Sequence, residues 1–264
     1  MPALLHFTLI RLGARLSSHD RFVVCIRERA CIIARMKKFV CMLGMVPAVA
    51  WAEVESEIPW GVEAVAGFRS DLVHRGFNLA EDVFDYQLET EIAITNDWSL
   101  NLSGYYGTGT GNGNDFSEVN GMLELRYDAE KWSAGWAFGY RDFTSTFFRD
   151  GWESGPFFIY RLTEDWDLRG EYLYDEGAES FYGAVQLSWS KALNAKSFVS
   201  ARGGVSHVED FYGSQGFHAA DLRLSYTYLV ASNVSVTPFV GGSLAIDREA
   251  DDAVFGGIWF EVTF

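Results

Sequence analysis

The sequence predicts an antiparallel transmembrane β-barrel of about twelve strands, and three observations lead to this fold class. Apolar and polar residues alternate with a period of two through most of the chain after residue 59, so each set lies on one face of an extended strand. Aromatic residues are abundant, at 16%. The alternating runs number twelve, and bacterial single-chain barrels have an even strand count. A soluble β-sandwich would alternate similarly, but its outer face would be the polar one.

The first four runs are residues 60–69, 84–95, 98–106 and 118–127. In each of them, large apolar side chains share one face and charged or small polar ones share the other, which suits a wall with lipid on one side. The apolar face is marked by Trp60, Val62 and Phe68, then Tyr86, Leu88 and Ile92, then Leu100, Leu102 and Tyr106, then Leu123, Leu125 and Tyr127.

The next four runs are residues 132–141, 158–162, 166–175 and 181–189. Their apolar faces are the most aromatic of the chain, with Trp132, Trp136, Phe138 and Tyr140, then Phe158 and Tyr160, then Trp166, Tyr172 and Tyr174, then Phe181 and Trp189. Trp60, Trp98, Trp132, Trp166 and Trp189 fall at strand ends beside short turns, where an aromatic belt meets the membrane interface.

The last four runs are residues 198–208, 221–228, 234–244 and 257–264, of which the first is the weakest. Connections after even-numbered strands are tight, and those after odd-numbered strands tend to be longer and polar. This predicts short periplasmic turns and longer external loops. The glycine-rich residues 107–115 lack the Lys-Ser/Thr ending of a phosphate loop, so we interpret them as a surface loop.

The amino-terminal residues are predicted not to belong to the barrel. Met36-Lys37-Lys38 begins a basic segment, residues 39–49 are apolar, and Ala50-Trp51-Ala52 offers small residues for signal peptidase, which predicts a signal peptide over 36–52. Residues 1–35 are rich in arginine and are interpreted as a start codon placed too early, or alternatively as a long targeting arm. Residues 53–264 are then a single barrel domain.

Charge and cysteine content narrow the class of partner. Residues 1–52 hold eight of the 21 basic and two of the 36 acidic side chains, which leaves 13 bases against 34 acids, a net charge of −21. Such a chain is not expected to bind nucleic acid. All three cysteines, Cys25, Cys31 and Cys41, also lie in this segment, so no disulfide framework or thiolate metal site remains. No second apolar stretch of about 20 residues follows, so a membrane protein of this kind has to be a closed barrel.

Charged residues of both signs fall on the predicted inward face. Two interpretations stay open: the charges pair and fill a narrow lumen, or they line a water-filled pore that orients polar solutes. The bases are not in excess, which argues against a channel dedicated to acidic sugars. The candidate pore-lining residues are Arg69, Glu89, Glu91, Glu124, Arg126, Arg141, Arg169, Glu171, Asp221 and Arg223.

The sequence predicts no enzyme, no metal site and no cofactor. His74, His207 and His218 have no metal-ligand spacing, and they are expected to be solvated loop residues. A lipase would need a serine beside a histidine, but Ser206 and His207 are sequence neighbours and point to opposite faces of a strand. The acidic residues 247–252 are interpreted as a solvated loop, or alternatively as ligands of a divalent ion bridging lipopolysaccharide.

The final strand, residues 257–264, has an apolar row that ends on the terminal Phe264. It resembles the signal by which the barrel assembly machinery recognises outer-membrane barrels. That resemblance implies three partners: the assembly machinery, outer-membrane lipid and lipopolysaccharide.

The first hairpin carries a family resemblance. Residues 68–76, Phe-Arg-Ser-Asp-Leu-Val-His-Arg-Gly, followed by Asp85-Tyr86-Gln87-Leu88-Glu89, resemble the first hairpin of TorF-type porins, with Leu72 in place of the usual tyrosine. The resemblance covers about a tenth of the barrel domain and implies an outer-membrane porin without catalytic residues. We therefore expect a channel for passive diffusion of small polar solutes in the bacterial outer membrane, or alternatively a non-conducting barrel that acts through its external loops.

Overall fold

The computed structural model describes residues 60–110, 115–144 and 146–264, and all regular structure in this part of the chain is β-strand. The predicted signal peptide and upstream segment lie outside the described residues. No helix in these ranges is long and apolar enough to cross a membrane. The strands are β1 (Trp60–His74), β2 (Phe77–Ala93), β3 (Trp98–Gly109), β4 (Ser117–Asp128), β5 (Trp132–Thr144), β6 (Gly151–Arg161), β7 (Trp166–Asp175), β8 (Ser180–Asn194), β9 (Ser197–Phe211), β10 (Ser214–Ala231), β11 (Val234–Ala245) and β12 (Ala253–Thr263).

The twelve strands form one closed antiparallel barrel in which each strand pairs with its sequence neighbours. The barrel closes where β12 pairs with β1, from Glu63 opposite Thr263 to Arg69 opposite Gly257. Closure leaves no unpaired sheet edge, which a strand protein needs in order to cross a membrane. The predicted fold class is confirmed.

The outer surface is apolar and carries two belts of aromatic residues. The inner belt lies beside the short turns, where Trp98 is 5.3 Å from Tyr127 and Tyr127 is 5.6 Å from Trp132 between ring centroids. The outer belt lies at the opposite strand ends, where Tyr140 is 4.7 Å from Trp152 and Tyr172 is 5.0 Å from Phe181. Two aromatic belts flanking an apolar band are the surface that a lipid bilayer selects.

The first hairpin extends well beyond the outer belt. We predicted a first strand ending at residue 69 and a second beginning at 84, whereas β1 continues to His74 and β2 begins at Phe77. Only Arg75 and Gly76 join them, both with positive φ, 50° and 86°, as in the tight turns that favour β-hairpins. The same geometry joins β9 to β10 at Tyr212 and Gly213. At these two places the external extension lies in the strands and the turn itself is short.

Two apolar clusters lie inside the outer end of the barrel. One contains Phe77, Phe148, Tyr182, Ala184, Val208 and Phe211, and the other contains Leu72, Ala80, Val83 and Phe116. Leu79 and Phe143 pack against both. We call the two together the mouth cluster. A third cluster, of Met122, Ala137, Phe157 and Leu173, lies within the wall formed by β4 to β7.

Candidate functional site

The candidate site is the lumen of the barrel. All ten residues predicted to line it lie on the inward-facing rows of their strands, between neighbours that face lipid. The alternating sequence pattern predicted their inward placement because a strand places every second side chain on the same face. Whether these residues line a conducting pore stays a prediction. The structure does show which of them meet.

Near the inner end, Arg126 is the centre of a small network. Its Nη2 lies 2.7 Å from Glu91 Oε1, and its Nε lies 3.0 Å from Asp128. Higher in the lumen, Arg69 on β1 pairs with Asp85 on β2. Each arginine therefore has a carboxylate from its own or a nearby strand.

Midway through the lumen, Arg169 on β7 lies between two carboxylates. Its Nη2 is 2.8 Å from Glu124 Oε1 on β4, and its Nε is 3.2 Å from Glu171 Oε2 on β7. The guanidinium also lies over the ring of Phe157, 4.7 Å from the centroid. Because β4 and β7 are three strands apart, the Arg169–Glu124 pair bridges part of the interior.

At the outer end, Glu153 on β6 joins two arginines. Arg141 donates to Glu153 Oε1 at 2.6 Å, and Arg75 donates to the other oxygen. Arg141 also lies 3.8 Å from Glu118, which is fully buried. A buried carboxylate is tolerated when charged donors satisfy its oxygens, as Arg141 and Arg75 do for Glu153.

Arg75 was not among the predicted site residues, yet its contacts join the first hairpin to four other strands. It lies at the tip of the first hairpin, and its Nη1 donates to Asp175 Oδ2 on β7 at 2.6 Å. Its guanidinium lies over Tyr182 on β8 and Phe211 on β9, 4.4 and 5.3 Å from the ring centroids. In a ring of twelve strands, β7 is diametrically opposite β1. The hairpin tip therefore lies across the outer opening of the barrel.

Aromatic packing completes this closure. Phe77, which follows the turn, lies 5.4 Å from Phe148 in the β5–β6 connection and 4.8 Å from the ring of His218 on β10. Asp251 in the β11–β12 loop donates its backbone N–H to the carbonyl of Gly76 at 2.8 Å. Three external connections and the mouth cluster thus cover the outer end of the lumen in this state.

The prediction that the three histidines are solvated is wrong for two of them. His74 and His218 are 1% and 0% exposed, because the first hairpin folds inward over them instead of extending into solvent. His74 lies 3.2 Å from Arg141 Nη1 and packs edge-on against Phe148. His207 is exposed on the lipid-facing row, while its neighbour Ser206 is buried and bonded to the backbone of Ala219.

Burial also changes how the groups at this rim ionise. Burial lowers the pKa of His74 well below its usual range, and the charges of Arg141 and Arg75 lower it further. Burial likewise lowers the pKa of His218, with the nearby backbone of Arg75 and the charges of Asp247 and Asp251 acting in the opposite direction. Burial alone would lower the pKa of Arg75, but Glu153 and Asp175 raise it above its ordinary value. At neutral pH the rim therefore holds neutral histidines around a charged arginine.

The acidic external segment is built into the fold. Asp251 accepts the backbone N–H of Asn78 at 2.9 Å, Asp252 accepts that of Ala245 at 2.7 Å, and Asp247 accepts that of Arg248 at 2.6 Å. No group of three or more metal-ligating side chains occurs within the described ranges. The carboxylates of this loop serve as acceptors that fix the loop to β1–β2 and β11.

Two inward arginines differ from the others. Arg202 on β9 and Arg223 on β10 are direct cross-strand partners, and neither forms an ion pair with any residue that the structure describes. Arg223 lies over the ring of Trp259, 4.9 Å from its centroid. Sequence reasoning placed both arginines on the inward face but selected only Arg223 as a candidate. Both arginines could be found from their place on the inward row. Their lack of an ion-pair partner depends on the register of three strands.

No protein-family model matches the chain, and no curated protein matches it. Among solved structures, the barrel is similar to the COG4313 outer membrane channel from Pseudomonas putida F1, with a TM-score of 0.52, 10% identity and coverage of 82% of this chain and 100% of that one. It is also similar to the KdgM porin, with a TM-score of 0.51, 8% identity and coverage of 77% of this chain and 99% of that one. For the NanC porin the TM-score is 0.50 and the identity 9%, with coverage of 77% of this chain and 98% of that one.

At identities this low, the similarity shows a shared fold: the small twelve-stranded barrel of outer-membrane porins and channels. A closed barrel with an apolar belt between two aromatic belts and a charged interior is the architecture of the bacterial outer membrane. The chain is a protein of that membrane.

Proposed function

We propose that this protein is an outer-membrane channel through which small polar solutes diffuse passively. The observation that carries the proposal is the column of charged side chains that runs along the inside of the closed barrel, from Arg126 and Glu91 near the inner end, through Arg169 and Glu124, to Arg141 and Glu153 near the outer end. Charged groups are costly inside a purely structural wall, and they favour water and polar solutes.

Two further observations support the channel. The solved structures that share the fold include a channel and two porins, and the first hairpin resembles that of TorF-type porins in sequence. We propose no enzymatic activity, since Ser206 and His207 point to opposite faces of β9 and His74 and His218 are buried among aromatic rings.

One specific observation favours a second candidate function. The tip of the β1–β2 hairpin and the mouth cluster cover the outer opening, and Arg75 fixes the tip to β6 and β7. These groups therefore narrow the outer opening in this state. A barrel that stayed closed would be a non-conducting structural or surface-binding protein, whereas a channel requires the hairpin to swing outward.

The test is single-channel recording of the protein extracted from outer membranes, in planar bilayers, comparing the wild type with Arg75→Gln. The substitution removes the charge that binds Glu153 and Asp175 but keeps a polar side chain that can donate a hydrogen bond. The matched control is Arg149→Gln, since Arg149 lies in an external connection and forms only an exposed pair with Glu179. Heat-modifiable migration on gels verifies that each barrel is folded.

Three outcomes separate the candidates. Discrete conductance steps in the wild type support the channel directly. Steps that appear or lengthen only in Arg75→Gln support a channel whose mouth is held shut by this arginine. Folded but silent barrels in all three proteins overturn the channel and leave the non-conducting barrel.

The proposal includes outer-membrane lipid and lipopolysaccharide as the surroundings of the barrel, and the barrel assembly machinery as a partner of β12. A groove of about 430 Å³ on the lipid-facing wall supports contact with lipid. It lies where Gly170 and Gly183 replace large side chains between Phe158, Tyr172 and Phe217. An acyl chain is the occupant that fits an apolar groove facing the hydrocarbon region.

A further inference from the structure

The inward face of β9 and β10 holds two positive charges side by side. Arg202 and Arg223 occupy directly opposite positions in the antiparallel ladder. Side chains at such positions start about 5 Å apart at their Cβ atoms. Like charges directly opposite each other are destabilising, so this arrangement needs something to offset it.

The other inward arginines of the described residues have that compensation. Arg69, Arg75, Arg126, Arg141 and Arg169 each lie within ion-pair distance of at least one carboxylate. Arg202 and Arg223 have none, and the Nε of Arg202 is buried without a hydrogen-bond partner. The missing carboxylate is thus a property of this part of the wall and not of the lumen in general.

The direct cross-strand neighbours of the pair on β8 and β11 carry no charge. Ser188 is the β8 partner of Arg202, and Gly241 is the β11 partner of Arg223. One pair further toward the inner end, Ser200 and Ser225 bond to each other at 2.6 Å between hydroxyl oxygens. Hydroxyl groups can donate to an anion. At Gly241 the ring of Phe255 on β12 occupies the place that a side chain would take.

Three acids act electrostatically on the pair: Glu261 on β12 acts on Arg223, Glu171 on β7 acts on Arg202, and Asp221 acts on both. Asp221 is the most direct competitor for a bound anion. It lies two residues from Arg223 on the same inward row, and it forms no ion pair with either arginine. No carboxylate of the described residues lies within ion-pair distance of either guanidinium, so both arginines keep N–H groups that no acid occupies.

An aromatic platform holds Arg223 in place. Its guanidinium lies over Trp259, which is 3% exposed and stacks on Phe239 at 3.9 Å. Arg69 approaches the same ring, 5.7 Å from its centroid. Stacking occupies the face of a guanidinium and leaves the N–H groups at its edge free to donate.

We propose that Arg202 and Arg223 form a binding site for a small oxyanion inside the lumen, and that the polar solutes of this channel include carboxylate- or phosphate-bearing ones. Two adjacent guanidinium groups offer paired N–H donors that match the oxygens of a carboxylate or a phosphate. The low-dielectric surroundings strengthen each of these contacts relative to water. The solute class rests on the proposed channel, whereas the binding site itself does not.

The test is a titration of the detergent-solubilised protein with inorganic phosphate at constant ionic strength, followed by calorimetry and by tryptophan fluorescence, to which Trp259 contributes. The variants are Arg202→Gln and Arg223→Gln, and the matched control is Arg161→Gln, an arginine at the exposed inner end of β6. We expect saturable binding by the wild type and the control, and binding weaker by about tenfold or more in each variant.

Two further substitutions keep the test decisive if the glutamine variants fold poorly. Asp221→Asn removes the competing carboxylate and is expected to tighten phosphate binding. Arg202→Lys keeps the charge but loses the paired donors, so its affinity is expected to fall between those of the wild type and Arg202→Gln. Equal affinity in the wild type and all these variants, or no saturable binding by the folded wild type, overturns the site.

Conductance separates this site from the channel proposal. Phosphate binding in a barrel that stays silent in bilayers would keep the site and overturn the channel. Conductance without phosphate binding would keep the channel and overturn the site. If both hold, phosphate should reduce the current of small ions through the wild type more than through Arg202→Gln.

Discussion

Arg75 and Asp175 are 100 residues apart in the chain, and Arg75 Nη1 lies 2.6 Å from Asp175 Oδ2 across the outer opening of the barrel. The pair joins the tip of the first hairpin to the end of β7 on the opposite wall. It is shielded from water, with the arginine side chain fully buried and Asp175 only 12% exposed. The hairpin is therefore held closed by a specific buried ion pair in addition to apolar packing.

A double-mutant cycle on this pair tests how strongly it holds. We expect Arg75→Gln and Asp175→Asn each to destabilise the barrel, and the double variant to be less destabilised than the sum by about 1–3 kcal/mol, because both changes remove the same buried contact. Urea-induced unfolding followed by tryptophan fluorescence measures each free energy. The exposed pair Arg149–Glu179, with side chains 71% and 77% exposed, is the control, and its coupling should stay below about 1 kcal/mol.

Glycine is required at position 76 for two separate reasons. Its φ of 86° is unfavourable for other residues, and an added Cβ would lie 2.7 Å from Ala219 Cβ and 2.9 Å from His218 Nε2. Gly213 has a similar φ of 92° with open space around it. Both Gly76→Ala and Gly213→Ala should cost about 1–2 kcal/mol for the backbone, and Gly76→Ala a further 1–3 kcal/mol for overpacking. If thermal unfolding shows equal losses of stability for Gly76→Ala and Gly213→Ala, the packing of the hairpin tip against β10 is contradicted.

The stability of the closed mouth should fall as the pH falls below about 6.5. Burial lowers the pKa of both His74 and His218 in the folded protein, whereas in the unfolded chain each keeps a pKa near 6.5. Below that value the unfolded state binds protons that the folded state does not, so the folded state loses stability. Above it the two histidines contribute no pH dependence.

Unfolding midpoints at pH 7.5 and 5.5 measure this effect. The charged groups that face the histidines are Arg75 and Arg141 for His74, and Asp247 and Asp251 for His218. We expect His74→Gln, next to two arginines, to remove more of the pH dependence than His218→Gln. His207→Gln is the control, since His207 is exposed, and a loss of pH dependence in this variant would refute the assignment.

Most of the barrel could be predicted from the sequence because the membrane imposes one rule on every strand. Lipid on one face and the lumen on the other force alternation, so strand number, facing and closure could all be inferred. The rule ends at the outer aromatic belt. Except for the exposed Glu81 and Asp82, residues 70–83 are buried or half-buried against other protein groups. The alternation there no longer marks a strand, although β1 and β2 continue through most of this range. In β6, Ser154 and Pro156 interrupt the lipid-facing row of large apolar side chains between Trp152 and Phe158, which hid residues 151–157.

The candidate site could be predicted only as a list of inward residues. The stagger between strands decides which arginines form ion pairs with which carboxylates. A sequence that is read strand by strand does not contain this stagger. Arg169 bonds to Glu124 across two intervening strands, whereas Arg223 lies opposite another arginine. The burial of His74 follows from the inward fold of the hairpin, which depends on Asp175 and Glu153 far along the chain.

The terminal Phe264 should affect assembly without affecting the stability of the assembled barrel. Its backbone N–H bonds to Val62 at 2.8 Å, but its side chain is 76% exposed and packs little. Loss of an exposed side chain costs a folded barrel little. A role in recognition by the assembly machinery would instead reduce the amount of barrel that reaches the outer membrane. We therefore expect Phe264→Ala to lower the yield of heat-modifiable protein in outer-membrane fractions while leaving the unfolding midpoint of the purified barrel unchanged.

The matched control for that experiment is Val254→Ala, because Val254 lies at the other end of β12 and is 81% exposed. Both substitutions remove an exposed apolar side chain, one at the start of β12 and the other directly after its last residue. Equal yields for the two variants would show that Phe264 is not read during assembly. A lowered unfolding midpoint in Phe264→Ala alone would instead assign the residue to the closure between β12 and β1, where its backbone already takes part.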